Sequence, residues 1–309
     1  MNIQQLEYIV AVDEHKHFAK AAEACFVTQP TLSMMIQKLE EELGLKIFDR
    51  SKYPITTSKE GEEIIERAKN ILNEIKQIKD YCIDIKSDMQ GEIRIGIIPT
   101  LAPYLLPLFI KDLNLSYPKL RLLVKEITTQ DILTKLQSRE IDLAILAGPI
   151  SENQFLELPL FKEPFLVYGA LKKKKNSKYV LPQQLISENV WLLEEGHCFR
   201  NQVMNFCELR DKSQSQFSLS YEAGSIETLI HLVDMYEGLT IIPQLALNHL
   251  KKQQLSKVTE FAKPQPSRQI NLIALKNYPR VKLLKAIQTQ IINALPKMND
   301  KQLKAIPIS

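Results

Sequence analysis

Between residues 64 and 85 the apolar side chains keep a fixed rhythm. Ile64, Ala68, Ile71, Ile75, Ile78, Cys82 and Ile85 are separated alternately by four and three residues. That spacing draws one stripe down a long helix over three heptads, and such a stripe needs a second helix to cover it. The pattern predicts a helix over about 58–88 and a homodimer formed through it. Cys82 holds a seam position, so its expected role is packing. With 309 residues the chain is too long for one ordinary core. The helix divides it into a helical segment at the start and a strand-and-helix alternation after residue 92, with Gly91 as a candidate hinge.

Before the stripe, Ile3, Leu6 and Val10 share one helical face, which predicts a helix over 2–14. Phe18 to Ala24 reads as a short alanine-rich helix and Phe26-Val27 as a turn. Thr28 is a good N-cap for a third helix that holds Thr31, Leu32, Ile36 and Leu39 and stops near Gly44. Cys25, beside the turn, reads as small core. Two helices joined by a tight turn, the second polar outward, form a helix-turn-helix. In that motif the first residues of the second helix meet base edges in the major groove of double-stranded DNA. Here these are Thr28, Gln29, Pro30, Thr31 and Ser33, with Gln37 one turn on. Glutamine can bond adenine through two hydrogen bonds, and serine or threonine suits several bases.

Charge needs care here. Residues 1–57 carry six basic and eight acidic side chains, which opposes nucleic-acid binding if only summed. Their distribution reverses that inference, because residues 24–39 contain no acid. Lys46, Arg50, Lys52 and Lys59 flank a Pro-Ile-Thr-Thr stretch that reads as a β-wing, and Arg50 and Lys52 are placed to reach phosphate. The competing reading is a plain helical domain that binds protein.

After residue 92 strands alternate with helices, which predicts α/β architecture with a largely parallel sheet. Strands are expected at 93–98, 120–127, 141–147, 165–170, 190–193, 217–221, 239–242 and 269–275. Helices are expected at 103–115, 131–139, 199–209, 225–236 and 281–295, and the Lys172–Lys175 run reads as a solvated loop. Thr100 and Thr129 follow strands, where ligands of open α/β sheets sit. Helix capping is the plainer role for such threonines.

One segment carries chemistry. Cys198 has His197 before it and Arg200 two residues on, and Gly196 puts it at or near a helix N-terminus. Cationic neighbours and the positive end of a helix dipole both favour thiolate, the form that attacks peroxides and disulfides. Cys207 lies nine residues further. Along an intact helix that is about 13 Å and the opposite face, whereas a disulfide needs Cα atoms within about 7 Å. Either the two cysteines never pair, or pairing unwinds the helix. The plain alternative is two inert, buried apolar cysteines.

Composition, 45% hydrophobic and 25% charged, is that of a soluble globular protein. The start lacks the basic and apolar regions of a signal peptide. The most apolar run, 97–110, contains Pro99, Pro103 and Pro107 and is too short to span a bilayer. A cytoplasmic location without membrane partners is expected, and four cysteines there do not make a structural disulfide framework. Zinc spacing, a P-loop and a glycine-rich dinucleotide turn are absent from the sequence, so no metal and no cofactor are expected.

The first sixty residues resemble the LysR-type transcriptional regulators. The resemblance rests on Phe18-Ala19-Lys20-Ala21-Ala22, Thr28-Gln29-Pro30-Thr31-Leu32-Ser33, Leu39-Glu40-Glu41-Glu42-Leu43-Gly44, Phe48-Asp49-Arg50 and Thr56-Thr57-Ser58-Lys59-Glu60-Gly61. Met34-Met35 departs from the family, which usually has a polar or basic residue at the first of these positions. Three further stretches resemble the family's hydrogen-peroxide-sensing branch. They are Gly196-His197-Cys198-Phe199-Arg200 with Phe206-Cys207, residues 96–107, and Glu126-Ile127-Thr128-Thr129-Gln130. The resemblance implies a winged helix-turn-helix over 1–60, a linker helix over 61–90 and a regulatory domain over 91–309 like the periplasmic binding proteins. That domain would have one subdomain at about 91–162 and 268–300 and another at about 163–267. It further implies that Cys198 is the peroxidatic cysteine and Cys207 the resolving one. Thr100, Thr129 and His197 would hold peroxide, and Arg200 would support the thiolate. The implied partners are double-stranded DNA, hydrogen peroxide, RNA polymerase, a cellular thiol reductant and further copies of the chain in a homotetramer.

Three functions compete on this basis. One is a redox-switched transcription factor that activates antioxidant functions. The second is a LysR regulator with inert cysteines that answers a small organic effector between its subdomains. The third is a thiol peroxidase, which comes last because an enzyme has no need of residues 1–60.

Overall fold

A computed structural model describes residues 1–85, 89–150, 152–170, 179–194, 198–207, 223–236, 238–296 and 303–306. The expected strand at 217–221 and the Lys172–Lys175 run lie outside the described residues, as does His197. The chain divides into two compact units, Met1–Lys86 and Ser87–Ser309.

The first unit begins with α1 (Ile3–His15), which opens on a reciprocal cap. Asn2 accepts from the Gln5 amide, and the Gln5 side chain accepts from the Asn2 amide, both at 2.9 Å. Helices α2 (Phe18–Ala24) and α3 (Gln29–Leu43) follow, joined through Phe26, which is 95% exposed and holds a left-handed φ of 56°. Gly44, at φ 68°, ends α3 in a conformation that side chains avoid. Strands β1 (Phe48–Asp49) and β2 (Thr56–Thr57) pair antiparallel as the wing. The core consists of Ile9, Val12, Leu32, Ile36, Leu39 and Ile47, closed by Ile65 and Ala68 of α4 (Lys59–Ile85). Cys25 is half-buried against this core, and burial, followed by Glu7 and Glu14, raises its thiol pKa.

Only the first turns of α4 are covered by their own unit. Ile71, Ile78, Tyr81, Cys82 and Ile85 are exposed, so the packing expected of Cys82 is not made within the chain.

The second unit runs β3 (Gly91–Ile97), α5 (Ala102–Ser116), β4 (Leu120–Glu126), α6 (Thr129–Gln137), β5 (Leu143–Gly148) and β6 (Phe155–Gly169). It continues with β7 (Tyr179–Val180), β8 (Val190–Trp191), α7 (Cys198–Phe206), α8 (Ile226–Tyr236) and β9 (Leu239–Pro243). Last come α9 (Lys252–Leu255), β10 (Val258–Phe261), β11 (Gln265–Leu275), α10 (Val281–Ala294) and β12 (Leu303–Ala305). The main strand order is β4-β3-β5-β11-β6-β10-β7, with β12 on β11 and β9 bridging β6 to β8.

The sheet is mixed rather than largely parallel. β3 pairs in parallel with β4 and β5, but β6 and β11 run antiparallel to each other, and β5, β9 and β10 pair antiparallel with one or other of them. β6 pairs with β11 over its first part and with β9 and β10 over its last. β6 extends ten residues before the expected start at Phe165, through Pro159 and Pro164, which would ordinarily argue against a central strand. A register shift between Ile270 and Asn271 skips Leu160 and lets Pro159, which has no N–H, sit within the ladder. Among the described residues no helix is long and apolar enough to cross a membrane.

One carboxylate fixes the wing to α3. Glu40 is fully buried and accepts from the amides of Ile47 (2.8 Å) and Phe48 (3.2 Å), from Lys46 (3.3 Å) and from Arg50 (3.3 Å). Glu40→Ala leaves two buried N–H groups and a guanidinium without their acceptor. It should cost about 2–4 kcal/mol, seen in urea unfolding of the full-length protein. A loss below about 0.5 kcal/mol, the size of a surface substitution, would mean the wing is held by apolar packing alone.

Candidate functional site

Two places gather the residues singled out above. The first is the start of α3. Thr28 caps the helix, its hydroxyl accepting from the Thr31 amide at 3.4 Å and lying 2.8 Å from the Thr31 hydroxyl. Gln29, Pro30 and Thr31 are exposed, and Gln37 is exposed with its amide on Glu41 at 3.0 Å. Lys52 reaches outward beside Asp49 at 3.5 Å. Arg50 has structural partners. Its guanidinium donates to Ser33 Oγ at 3.1 Å and to Glu40, and it lies 5.0 Å over the Phe18 ring. It therefore joins the wing to the exposed side of α3. Ser33 Oγ accepts this bond and keeps its own hydrogen for another partner.

The second place is built around a fully buried arginine that the sequence reading did not select. Arg268 on β11 lies directly opposite Glu163 on β6. Its Nε donates to Glu163 Oε2 at 2.8 Å. Its two terminal nitrogens donate to the Thr100 hydroxyl at 2.7 Å and the Thr100 carbonyl at 3.0 Å. Glu163 Oε1 accepts in turn from the Leu245 amide at 3.0 Å. The guanidinium also sits 5.0 Å over the ring of Phe199, the residue after Cys198. Thr100, just beyond β3, and the first turn of the cysteine helix are thus brought to one buried cation.

Thr129 shares that edge of the sheet. Ile97 pairs with Glu126 in the β3–β4 register, and Thr100 and Thr129 each stand three residues further on. The cap of α6 is Thr128, whose hydroxyl accepts from the Asp131 amide at 3.3 Å, so capping falls to Thr128 rather than Thr129. Arg200 turns toward the neighbouring strand end and donates to the Leu193 carbonyl at 2.9 Å.

Helix α7 spans the two cysteines. Its backbone begins at Cys198, whose side chain lies outside the described residues, and its last turn is closed by the Cys207 amide on the Val203 carbonyl at 3.0 Å. Cys207 is fully buried, and burial pushes its thiol well above the usual thiol range. The helix is anchored by aromatic contacts: Phe199 and Phe206 both meet Phe165, at 5.2 and 6.2 Å between ring centres, and Phe206 meets Phe261 at 5.0 Å. The two edge-to-face pairs, Phe165–Phe199 and Phe206–Phe261, are worth about 0.5–1.5 kcal/mol each beyond burial. Among the described residues no cluster of three or more metal-ligating side chains occurs.

Arg268 was missed because it lies about seventy positions from the cysteine segment and immediately before the expected strand start at Gln269. Its neighbours Ser267, Gln269 and Asn271 are polar, so the sequence carries no sign that this charge is buried. Arg268→Met leaves Glu163 buried and unpaired and should cost about 3–5 kcal/mol. Pairing it with Glu163→Leu should recover most of that loss. A double variant destabilised in urea by the sum of the two single losses would show that the two charges are not coupled.

The LysR substrate binding domain family matches residues 86–295, and the bacterial regulatory helix-turn-helix protein, lysR family, matches residues 3–62. A hydrogen peroxide-inducible genes activator of Pectobacterium carotovorum subsp. carotovorum is 37% identical over 274 residues, 88% of this chain and 90% of that protein. The DNA-binding transcriptional dual regulator OxyR of Escherichia coli K12 is 36% identical over 274 residues, with 88% and 89% covered. A solved full-length OxyR from Pseudomonas aeruginosa, a cysteine-to-aspartate variant, aligns with a TM-score of 0.75 at 31% identity, covering 94% of this chain and 98% of that one. A peroxide-bound OxyR variant from Corynebacterium glutamicum aligns with a TM-score of 0.61 at 25% identity, covering 95% and 92%. The chain belongs to the LysR family of bacterial transcriptional regulators, and most of its length is similar to the OxyR proteins within that family.

Proposed function

We propose that the chain senses hydrogen peroxide through Cys198 and Cys207 and regulates antioxidant genes by a redox-driven change of α7. The observation that carries this reading is that one short helix begins at Cys198, is closed by the buried Cys207, and docks through Phe199 on the Arg268–Thr100 pair. Cys198 thiolate attacks one peroxide oxygen. The O–O bond breaks, sulfur is oxidised to sulfenic acid, and the other oxygen leaves as hydroxide and takes a proton to become water. Thr100 accepts its bond from Arg268, so its own hydroxyl hydrogen remains for a peroxide oxygen. Thr129, His197 and Arg200 complete the binding set. When α7 opens, Cys207 thiolate attacks the sulfenic sulfur. The S–S bond forms, the S–O bond breaks, and the departing hydroxide takes up a proton as water. A cellular thiol reductant returns two electrons and resets the helix.

The output is DNA binding by α3 and the wing, with α4 pairing two copies and a tetramer presenting its reading heads to DNA and RNA polymerase. The organic-effector reading keeps one supporting observation, since a Cys207 fully buried in the hydrophobic core is what an inert core cysteine looks like.

Alkylation kinetics report the opening of α7, and peroxide treatment separates the two readings. In the docked helix Cys207 stays a neutral thiol, whereas in the opened helix its pKa returns to about 8.5. Above that pH the opened state binds fewer protons, so opening gains on the docked state as pH rises. The rate of Cys207 alkylation should therefore climb about tenfold per pH unit past 8.5, where an exposed thiol levels off. With micromolar peroxide at neutral pH, mass spectrometry should find a 198–207 disulfide, absent in Cys198→Ser. Intact thiols after peroxide would leave the inert-cysteine reading standing.

The DNA face gives a second test. Lys52→Ala should weaken all sequences alike and lower the salt slope by about one. Arg50→Ala should relax discrimination by roughly 1–3 kcal/mol at the base nearest Ser33, because it releases the side chain that orients Ser33. Equal losses on all sequences from Arg50→Ala would make it a phosphate contact instead.

A further inference from the structure

We infer that β12 with Ile306 is a strap that holds α7 in its helical form, and that Gln202 is the residue joining strap to helix. Gln202 lies in the middle of α7 and is fully buried. Its side-chain amide donates to the Ile306 carbonyl at 3.1 Å, across 104 residues of sequence. The Ile306 amide donates to the Ser267 carbonyl at 2.8 Å, and β12 runs parallel to β11 with Ala305 opposite Ser267. Ser267 is the neighbour of Arg268. One residue of the strap therefore bonds both the sensor helix and the strand that carries the buried cation.

The joint is built to be marginal. The paired part of β12 is three residues long, and its partner strand includes Pro266, which offers no N–H to the ladder. Docking of the strap thus leans on Ile306, whose side chain is buried in the core and whose two backbone groups are both engaged. On the helix side, Gln202 Oε1 is buried with no hydrogen-bond partner among the described residues, and so is Ser267 Oγ. A buried amide that satisfies only its donor side holds less firmly than one whose oxygen is also paired. A purely structural helix has no use for such a group. A helix that must leave its site loses little by it.

The consequence rests on the proposed disulfide. Unwinding residues 199–206 carries Gln202 away from Ile306, so oxidation loosens the strap. Coupling is reciprocal, so weakening the strap favours opening of α7. Gln202 acts through the helix and not on peroxide, which makes it a positioning residue for the second chemical step alone.

The test uses the full-length protein, reduced with dithiothreitol or treated with hydrogen peroxide. Mass spectrometry establishes the 198–207 disulfide in the same samples that are read by hydrogen–deuterium exchange. In wild type, the peptide containing 303–306 should exchange at least fivefold faster once the disulfide has formed. Gln202→Leu should raise exchange there already in the reduced form. It should also speed disulfide formation about fivefold, the worth of one ordinary hydrogen bond, while sulfenate trapping at Cys198 keeps its wild-type rate. If the disulfide forms and exchange at 303–306 is the same in both states, the strap is overturned and the peroxide reading stands. If no disulfide forms in wild type, both fall. Should Gln202→Leu fold poorly, the wild-type exchange comparison decides alone.

Discussion

The second unit depends on a charge taken wholly out of water. Removing a guanidinium and a carboxylate from solvent costs several kcal/mol each before they meet. Arg268 is tolerable only because its neighbours are placed for it: Glu163 across the ladder, Thr100 through hydroxyl and carbonyl, and the face of Phe199. The same requirement fixes each neighbour. Thr100 is held in one orientation, β6 and β11 are tied together where Arg268 faces Glu163, and the first turn of α7 is seated on a cation. A buried pair of this kind is weak evidence for stability, since an apolar replacement of similar volume often does as well. Its value here is positional, because it ties the strand end at Thr100 to the helix that begins at Cys198.

The DNA-reading unit repeats the device in miniature. Glu40 is also buried, and it gathers two wing amides and the side chains of Lys46 and Arg50. Arg50 then reaches Ser33 on the exposed side of α3. In both units a buried carboxylate holds an arginine, and the arginine sets the direction of a hydroxyl. A hydroxyl that accepts a charge-assisted bond must give its hydrogen elsewhere. Ser33 and Thr100 are each thereby left with a hydrogen to give to a further partner.

What the sequence revealed and what it hid follow from distance along the chain. The helix-turn-helix was legible because its signals are local: a cap at Thr28, a stop at Gly44, and apolar positions a turn apart. The stripe on α4 was legible as a stripe, and its exposed half is what a helix awaiting a partner copy looks like. Gly196 placed Cys198 at or near the start of a helix, but the helix expected over 199–209 put Cys207 inside it, whereas α7 runs Cys198–Phe206. Glu40 was counted only as one of eight acidic side chains, because its burial appears only in the fold. Arg268 and Glu163 were passed over for the same reason, since neither side chain means anything until β6 and β11 lie side by side. The early part of β6 was hidden by Pro159 and Pro164, which local rules exclude from a central strand and a register shift admits.

The energetics of the proposed switch then determine how it must run. Opening α7 exposes Phe199, Val203 and Cys207, all buried now. Returning Phe199 and Val203 to water costs about 1.5–3 kcal/mol each, before the aromatic pairs and the contact with Arg268 are counted. Closing a loop of this size with a disulfide is worth only about 2.7 kcal/mol in chain entropy. The loop term alone cannot hold the helix open, so the oxidised form is not a second resting state of comparable depth. It persists because peroxide chemistry has made a covalent bond that only a reductant can undo. Two properties follow from the burial of Cys207. The sulfenic acid at Cys198 must wait for the helix to open, so the second step is paced by a local unfolding rather than by thiol chemistry. Once the bond is reduced, α7 returns to its place downhill and needs no further input. A sensor arranged in this way responds at the rate its helix opens and resets at the rate its reductant works.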